Sequence, residues 1–117
     1  MFDLTGLNAL VTGGARDIGG ACAVELARAG ADVVVNYFGS EEAAAATVEE
    51  IESRGSRATA VRANVFEAEG IAHLVSEAEA FFEGGRIDVL VNNAGGLNLR
   101  GELCDDVMTE ELVPPLP

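Results

Sequence analysis

The sequence predicts an α/β fold: a doubly wound parallel sheet of about four strands, in the order 3-2-1-4, with flanking helices. Three observations carry this expectation. Short β-branched runs alternate with helix-period runs along residues 7–93. Strands that start near residues 7, 32, 57 and 86 leave room each time for a strand and a crossover helix. A glycine-rich turn, "GGARDIGG" at 13–20, separates the first apolar run from the first amphipathic one.

Taken in order, "LNALVT" at 7–12 reads as the first strand. Residues 18–29 read as a helix, with Ile18, Cys22, Leu26 and Ala29 as its apolar stripe and Gly30 beyond its end. "DVVVNY" at 32–37 is a β-branched run of the kind buried on both faces. Residues 41–54 form the second helix, with Ser40 as N-cap and Gly55 after it. "RATAVRANV" at 57–65 is the third strand, residues 67–83 the third helix, and "RIDVLVNN" at 86–93 the fourth strand. Residues 102–112 can hold one short helix. "VPPLP" at 113–117 predicts an extended tail, because proline neither continues a helix nor donates to a ladder. The domain expected from this pattern covers residues 1–112.

Composition narrows the partners. The chain has 117 residues, 49% of them apolar, with a net charge of −13. Such an acidic balance argues against nucleic acid or an anionic membrane as a general partner. A phosphate ligand would depend on backbone dipoles and one or two guanidinium groups. All seven basic residues are arginine. Cys22 and Cys104 form no redox or metal motif, and Cys22 is expected as a small buried hydrophobe. His73 lies mid-helix without a ligand set, so no metal site is expected. No signal-peptide pattern and no run of membrane-spanning length is present, which gives a cytoplasmic protein as the default expectation.

The glycine turn is where chemistry enters. Gly13 allows a sharp exit from the strand, and Gly19 allows the helix to pack close to the sheet. N–H groups of the turn and of the helix start would face a pyrophosphate. The strand–turn–helix setting gives the pattern its weight as a Rossmann-like dinucleotide site. Asp17 is the exception in this turn. It can repel a phosphate, or it can cap the helix that opens at Ile18, and the capping preference of Asp favours the second reading.

"TGGARDIGG", followed some eighty residues later by "NNAG" at 92–95, resembles the short-chain dehydrogenase/reductase family. Thr12, Gly13 and Gly19 match its Thr-Gly-x-x-x-Gly-x-Gly pattern, with Asp17 in place of the middle glycine. Asn92, Asn93, Ala94 and Gly95 match its Asn-Asn-Ala-Gly. "VVVNYFGSEEAAAATVEEI" and "ANV" are similar to the 3-oxoacyl-(acyl-carrier-protein) reductase-like branch. The resemblance implies an oxidoreductase fold that binds a nicotinamide dinucleotide. The residues it points to are Gly13, Gly14, Ala15, Arg16, Ile18 and Gly19 at the turn, and Asn36 and Tyr37 at the second strand end. It also places Asn64 and Val65 at the adenine, Asn92 and Gly95 at the ribose, and Ala94 among the cofactor-binding residues.

Residue types at the second strand end bear on which nucleotide is bound. NAD sites usually end this strand with Asp or Glu, and this chain has Asn36 and Tyr37 there. With Arg16 in the turn, NADP is expected in preference to NAD.

Catalysis in the family uses a Ser and a Tyr-x-x-x-Lys pair. The chain has no lysine, and its one tyrosine, Tyr37, has Glu41 four residues on. No catalytic residue can therefore be carried over. The resulting expectation is the cofactor-binding part of an NADP-dependent reductase, truncated relative to the full family fold and inactive by itself. The alternative is a non-catalytic nucleotide-binding or interaction module, a dimer pairing through the exposed edge of the fourth strand.

Overall fold

The computed structural model describes residues 3–13 and 17–93, with Asp17 described by its backbone alone. The elements run β1 (Asn8–Thr12), α1 (Asp17–Arg28), β2 (Asp32–Tyr37), α2 (Glu41–Ser53), β3 (Ala58–Arg62), α3 (Ala68–Phe81), one 3-10 turn (Glu83–Gly85) and β4 (Val89–Asn92). The four strands form one sheet in the order β3-β2-β1-β4. Every pairing is parallel, with Leu10 opposite Val34 on one side and Leu90 on the other. The expected fold class and strand order are therefore present. The short helix expected at 102–112 and the tail at 113–117 lie outside the described residues.

Alternation along the strands divides the apolar residues between two cores. Ala9, Val11, Val33, Val35 and Ala58 face Ala23 and Ala27 of α1 and Ile51 of α2. Leu10, Val34 and Val61 face Leu74 and Ala78 of α3, with Phe82 after its end. The central strands are covered on both faces, which is why β2 is a Val-rich run without polar alternation. β4 differs. Val89 and Val91 pack against the first core, while Leu90 is 62% exposed where its neighbour Leu10 is 3% exposed. α3 packs on β2 and β3, and Leu90 stays largely exposed.

Local chemistry sets the ends of the elements. Ser40 caps α2, its Oγ accepting from Ala43 N at 3.3 Å, and Glu41 and Glu42 fill the first turn, where the helix dipole favours negative charge. β3 stops at Arg62, short of the expected 57–65. Asn64 Oδ1 accepts from Phe66 N at 3.0 Å and bends the chain toward α3. α3 ends before the expected residue 83, because Phe82 leaves helical geometry (φ −77, ψ 138) and enters the second core. β4 begins at Val89 rather than at 86. The residues before it hold the base of β1: Asn8 N donates to Asp88 Oδ2 at 2.9 Å, and Asn8 Nδ2 donates to Arg86 O at 2.7 Å.

The buried stripe of α1 is a correction. It runs through Ala23 and Ala27, not through Ile18, Cys22, Leu26 and Ala29. Ile18 is 72% exposed, and Cys22 is only half-buried. Close approach of the helix to the sheet selects the small side chains for the contact line, and Val24 and Leu26 flank it.

Candidate functional site

Ligands in open parallel sheets bind beyond the carboxyl ends of the strands, where the strand order reverses. That point lies here between β1 and β4. The three strand ends around it are tied together by side chains. Thr12, at the end of β1, accepts from Asn93 N at 3.0 Å through its Oγ1, and that hydroxyl donates to Asn92 Oδ1 at 3.0 Å. Asn93 Nδ2 donates to Gly13 O at 3.3 Å. On the other side Gly13 N donates to Asn36 Oδ1 at 3.1 Å.

Asn36 is the cross-member of this arrangement. It is 2% exposed, and its Nδ2 donates to Ala63 O at 3.1 Å, just past the end of β3. Its amide thus joins the exits of β1, β2 and β3. With both ends of its amide engaged, Asn36 fixes the position of Gly13 relative to the end of β3. Asn at the end of a Val-rich strand was legible in the sequence, but the inward direction of its side chain was not.

The glycine turn opens from these tied ends. Gly13 has φ 61, in the left-handed region that favours glycine. Gly19 lies directly against it. A Cβ on Gly19 would collide with Gly13 O and would sit 2.7 Å from Asn93 Nδ2 and 2.8 Å from Gly13 C. The cradle therefore exists only without a side chain at position 19, and the amino end of α1 is brought to the strand end. α1 begins at Asp17, so this residue is the first of the helix by its backbone. Its carboxylate lies outside the described residues, as do Gly14, Ala15, Arg16, Ala94 and Gly95.

The remaining sequence-derived positions separate in space. Ile18 stands exposed at the start of α1, an apolar side chain beside the turn. Tyr37 is half-buried at the end of β2, in register with Arg62. Val65 packs against the second core, and Asn64 holds the turn into α3 through its Oδ1. His73 is exposed on α3. Among the described residues no group of three or more His, Cys, Asp or Glu is placed to hold a metal ion. No described helix is long and apolar enough to cross a membrane. Sequence reading missed Phe38 and Arg62, whose guanidinium lies 4.6 Å from the Phe38 ring centroid. The signal available was an aromatic directly after the second strand and an arginine ending the third.

A glycine turn without room for a Cβ, pinned between strand ends by Thr12, Asn36 and Asn93, fits a dinucleotide pyrophosphate. The family model for short chain dehydrogenases matches residues 7–113. The chain belongs to the short-chain dehydrogenase/reductase family. Among relatives of this family, a 3-oxoacyl-(acyl-carrier-protein) reductase FabG of Staphylococcus aureus is 48% identical over 88 residues, which are 75% of this chain and 35% of the relative. The short chain dehydrogenase/reductase AacuN of Aspergillus aculeatus is 51% identical over 94 residues, 80% of this chain and 35% of that protein. The crystal structure of a dehydrogenase/reductase from Sinorhizobium meliloti superposes with a TM-score of 0.74 at 45% identity, covering 80% of this chain and 36% of that one. This short-chain dehydrogenase/reductase chain thus spans about a third of the length of the relatives it matches.

Proposed function

We infer that this chain binds NADP and forms the cofactor-holding part of a short-chain dehydrogenase/reductase-type oxidoreductase acting on carbonyl or alcohol carbons. One observation carries the reading: the tied strand ends around Gly13, with Gly19 pressed against them. Nicotinamide dinucleotides supply hydride-transfer chemistry when bound. The residues assigned to hold the dinucleotide are Gly13, Gly14, Ala15, Arg16, Ile18 and Gly19 at the pyrophosphate side. Tyr37, Asn64 and Val65 take the adenosine side, and Asn92, Ala94 and Gly95 the ribose. Asn36 acts by placing Gly13. NADP is preferred to NAD because no carboxylate ends β2 and Arg16 lies in the turn.

Proton transfer is not assigned to any residue of this chain. It contains no lysine, and Tyr37 sits at the end of β2. Fluorescence titration of the purified chain with NADPH and NADH tests the reading, with carbonyl reduction assayed in parallel. NADPH binding without turnover is expected. Failure to bind either nucleotide removes the reading, and robust turnover removes the assignment of a purely binding role.

A second reading has its own observation. β4 has a partner only on its β1 side among the described residues, and Leu90 stands exposed on it. A non-catalytic nucleotide-binding module that pairs as a dimer through this edge would cover both. Sedimentation at increasing concentration separates the two: a stable dimer supports the module, and a monomer removes it.

A further inference from the structure

We propose that Arg62, held on the Phe38 ring, reads the phosphate on the adenosine ribose and sets the preference for NADP. The proposal rests on the cofactor-binding reading above and adds a residue on β3 to the one in the glycine turn. It starts from charge pairing. In a chain of net charge −13, Arg28, Arg54, Arg57 and Arg86 each sit within 4.0 Å of a carboxylate. Arg62 is the one arginine among the described residues without such a partner.

Its place in the fold gives the free charge a use. Arg62 ends β3 and is in register with Tyr37, the last residue of β2. Both stand at the carboxyl edge of the sheet, on the same edge as Gly13 and Asn93. Alternation puts Arg62 on the face of Ala58, toward α2, so it flanks the β2–α2 connection where an adenosine ribose lies in this kind of site. Phe38, in that connection, is 51% exposed, and the Arg62 guanidinium lies 4.6 Å from its ring centroid. Stacking on an aromatic face holds the guanidinium plane while its N–H groups stay free around the rim, the geometry that suits a phosphate. An unpaired guanidinium pre-oriented in this way loses little freedom when an anion arrives.

The test uses the whole chain and two pairs of probes: adenosine 2′,5′-bisphosphate against 5′-AMP, and NADPH against NADH, each titrated calorimetrically. The wild-type chain is expected to prefer the member carrying the 2′-phosphate. Arg62→Gln should weaken that member by about tenfold or more and leave 5′-AMP and NADH within about twofold. Arg62→Lys, which keeps the charge, should recover part of the loss. Phe38→Ala should give an intermediate loss, because the cation remains but is no longer held. The side chains changed are exposed, and circular dichroism of each variant verifies the fold. If Arg62→Gln leaves the preference at the wild-type ratio, or if the wild-type chain shows no preference, the proposal is overturned while cofactor binding stands. If the wild-type chain binds none of the four probes, the cofactor reading fails and takes this one with it.

Discussion

Replacing Gly19 by alanine tests the central claim about the site, that α1 is pressed onto the end of β1. An added Cβ would collide with Gly13 O and would lie 2.7 Å from Asn93 Nδ2 and 2.8 Å from Gly13 C. Two of these three atoms are backbone and cannot rotate away. Three contributions set the magnitude. Alanine favours the helix by about 1 kcal/mol over glycine. Forcing a methyl group into close-packed surroundings costs about 1–3 kcal/mol. Loss of the bond from Asn93 Nδ2 to Gly13 O adds about 1 kcal/mol. With the packing cost at the upper end, because the obstacle is backbone, the net destabilisation is about 2–3 kcal/mol. That corresponds to a fall in Tm on the order of 10 °C for a domain of this size. NADPH affinity should fall with it, since the turn and the amino end of α1 separate. Thermal and urea unfolding followed by circular dichroism supply the stability, and fluorescence titration supplies the binding. Gly39→Ala is the control: nothing lies within 4 Å of its added Cβ, and a change below about 0.5 kcal/mol is expected. A Gly19→Ala chain as stable as wild type, with unchanged NADPH affinity, would refute the close-approach argument.

Three further outcomes follow from the same structure. Asn36→Ala should cost about 3 kcal/mol in urea unfolding, because Gly13 N and Ala63 O each lose a buried partner; a loss below about 1 kcal/mol would mean that the strand exits hold without it. Ser40→Ala should lower stability by about 1 kcal/mol through the lost cap on Ala43 N, and Ser40→Asp should keep most of it, both read by thermal unfolding. Asp88 carries a pH signature. Its carboxyl lies below the ordinary value of 3.8, chiefly through its hydrogen bond with Arg86 and then through that from Asn8 N. A depressed carboxyl binds fewer protons folded than unfolded, so its contribution is full above about pH 4 and is lost as the pH falls through the folded value. The stability gap between wild type and Asp88→Asn should therefore be present at pH 7 and narrow as the pH falls below about 4; a gap independent of pH would remove this role.

Much of the fold was legible because the signals are local. Val33, Val34 and Val35 make an uninterrupted β-branched run, the pattern of a strand covered on both faces. Ser40, followed by Glu41 and Glu42, marks a helix start by capping and dipole alone. The reading of α1 failed where local pattern and packing diverge. Ile18, Cys22, Leu26 and Ala29 have helical spacing, yet the contact line runs through Ala23 and Ala27. Hydrophobicity ranks the larger side chains first, whereas the distance from helix to sheet admits the smaller ones.

The candidate site divides along the same line. Residue order and type by themselves determined that a glycine turn joins a strand to a helix, that four strands alternate with helices, and that the chain offers no lysine for proton transfer. Each is a property of neighbours along the chain or of composition. Tertiary structure alone decided that Asn36 turns inward to bridge three strand exits. It alone decided that Gly19 meets Gly13 and Asn93, and that Arg62 rests on Phe38 with no described carboxylate within ion-pair distance. The Gly13–Asn36, Phe38–Arg62 and Gly13–Asn93 contacts join residues 23 to 80 positions apart. The direction of a side chain and the identity of its partner are set by strand register and helix packing, which no short window of sequence contains.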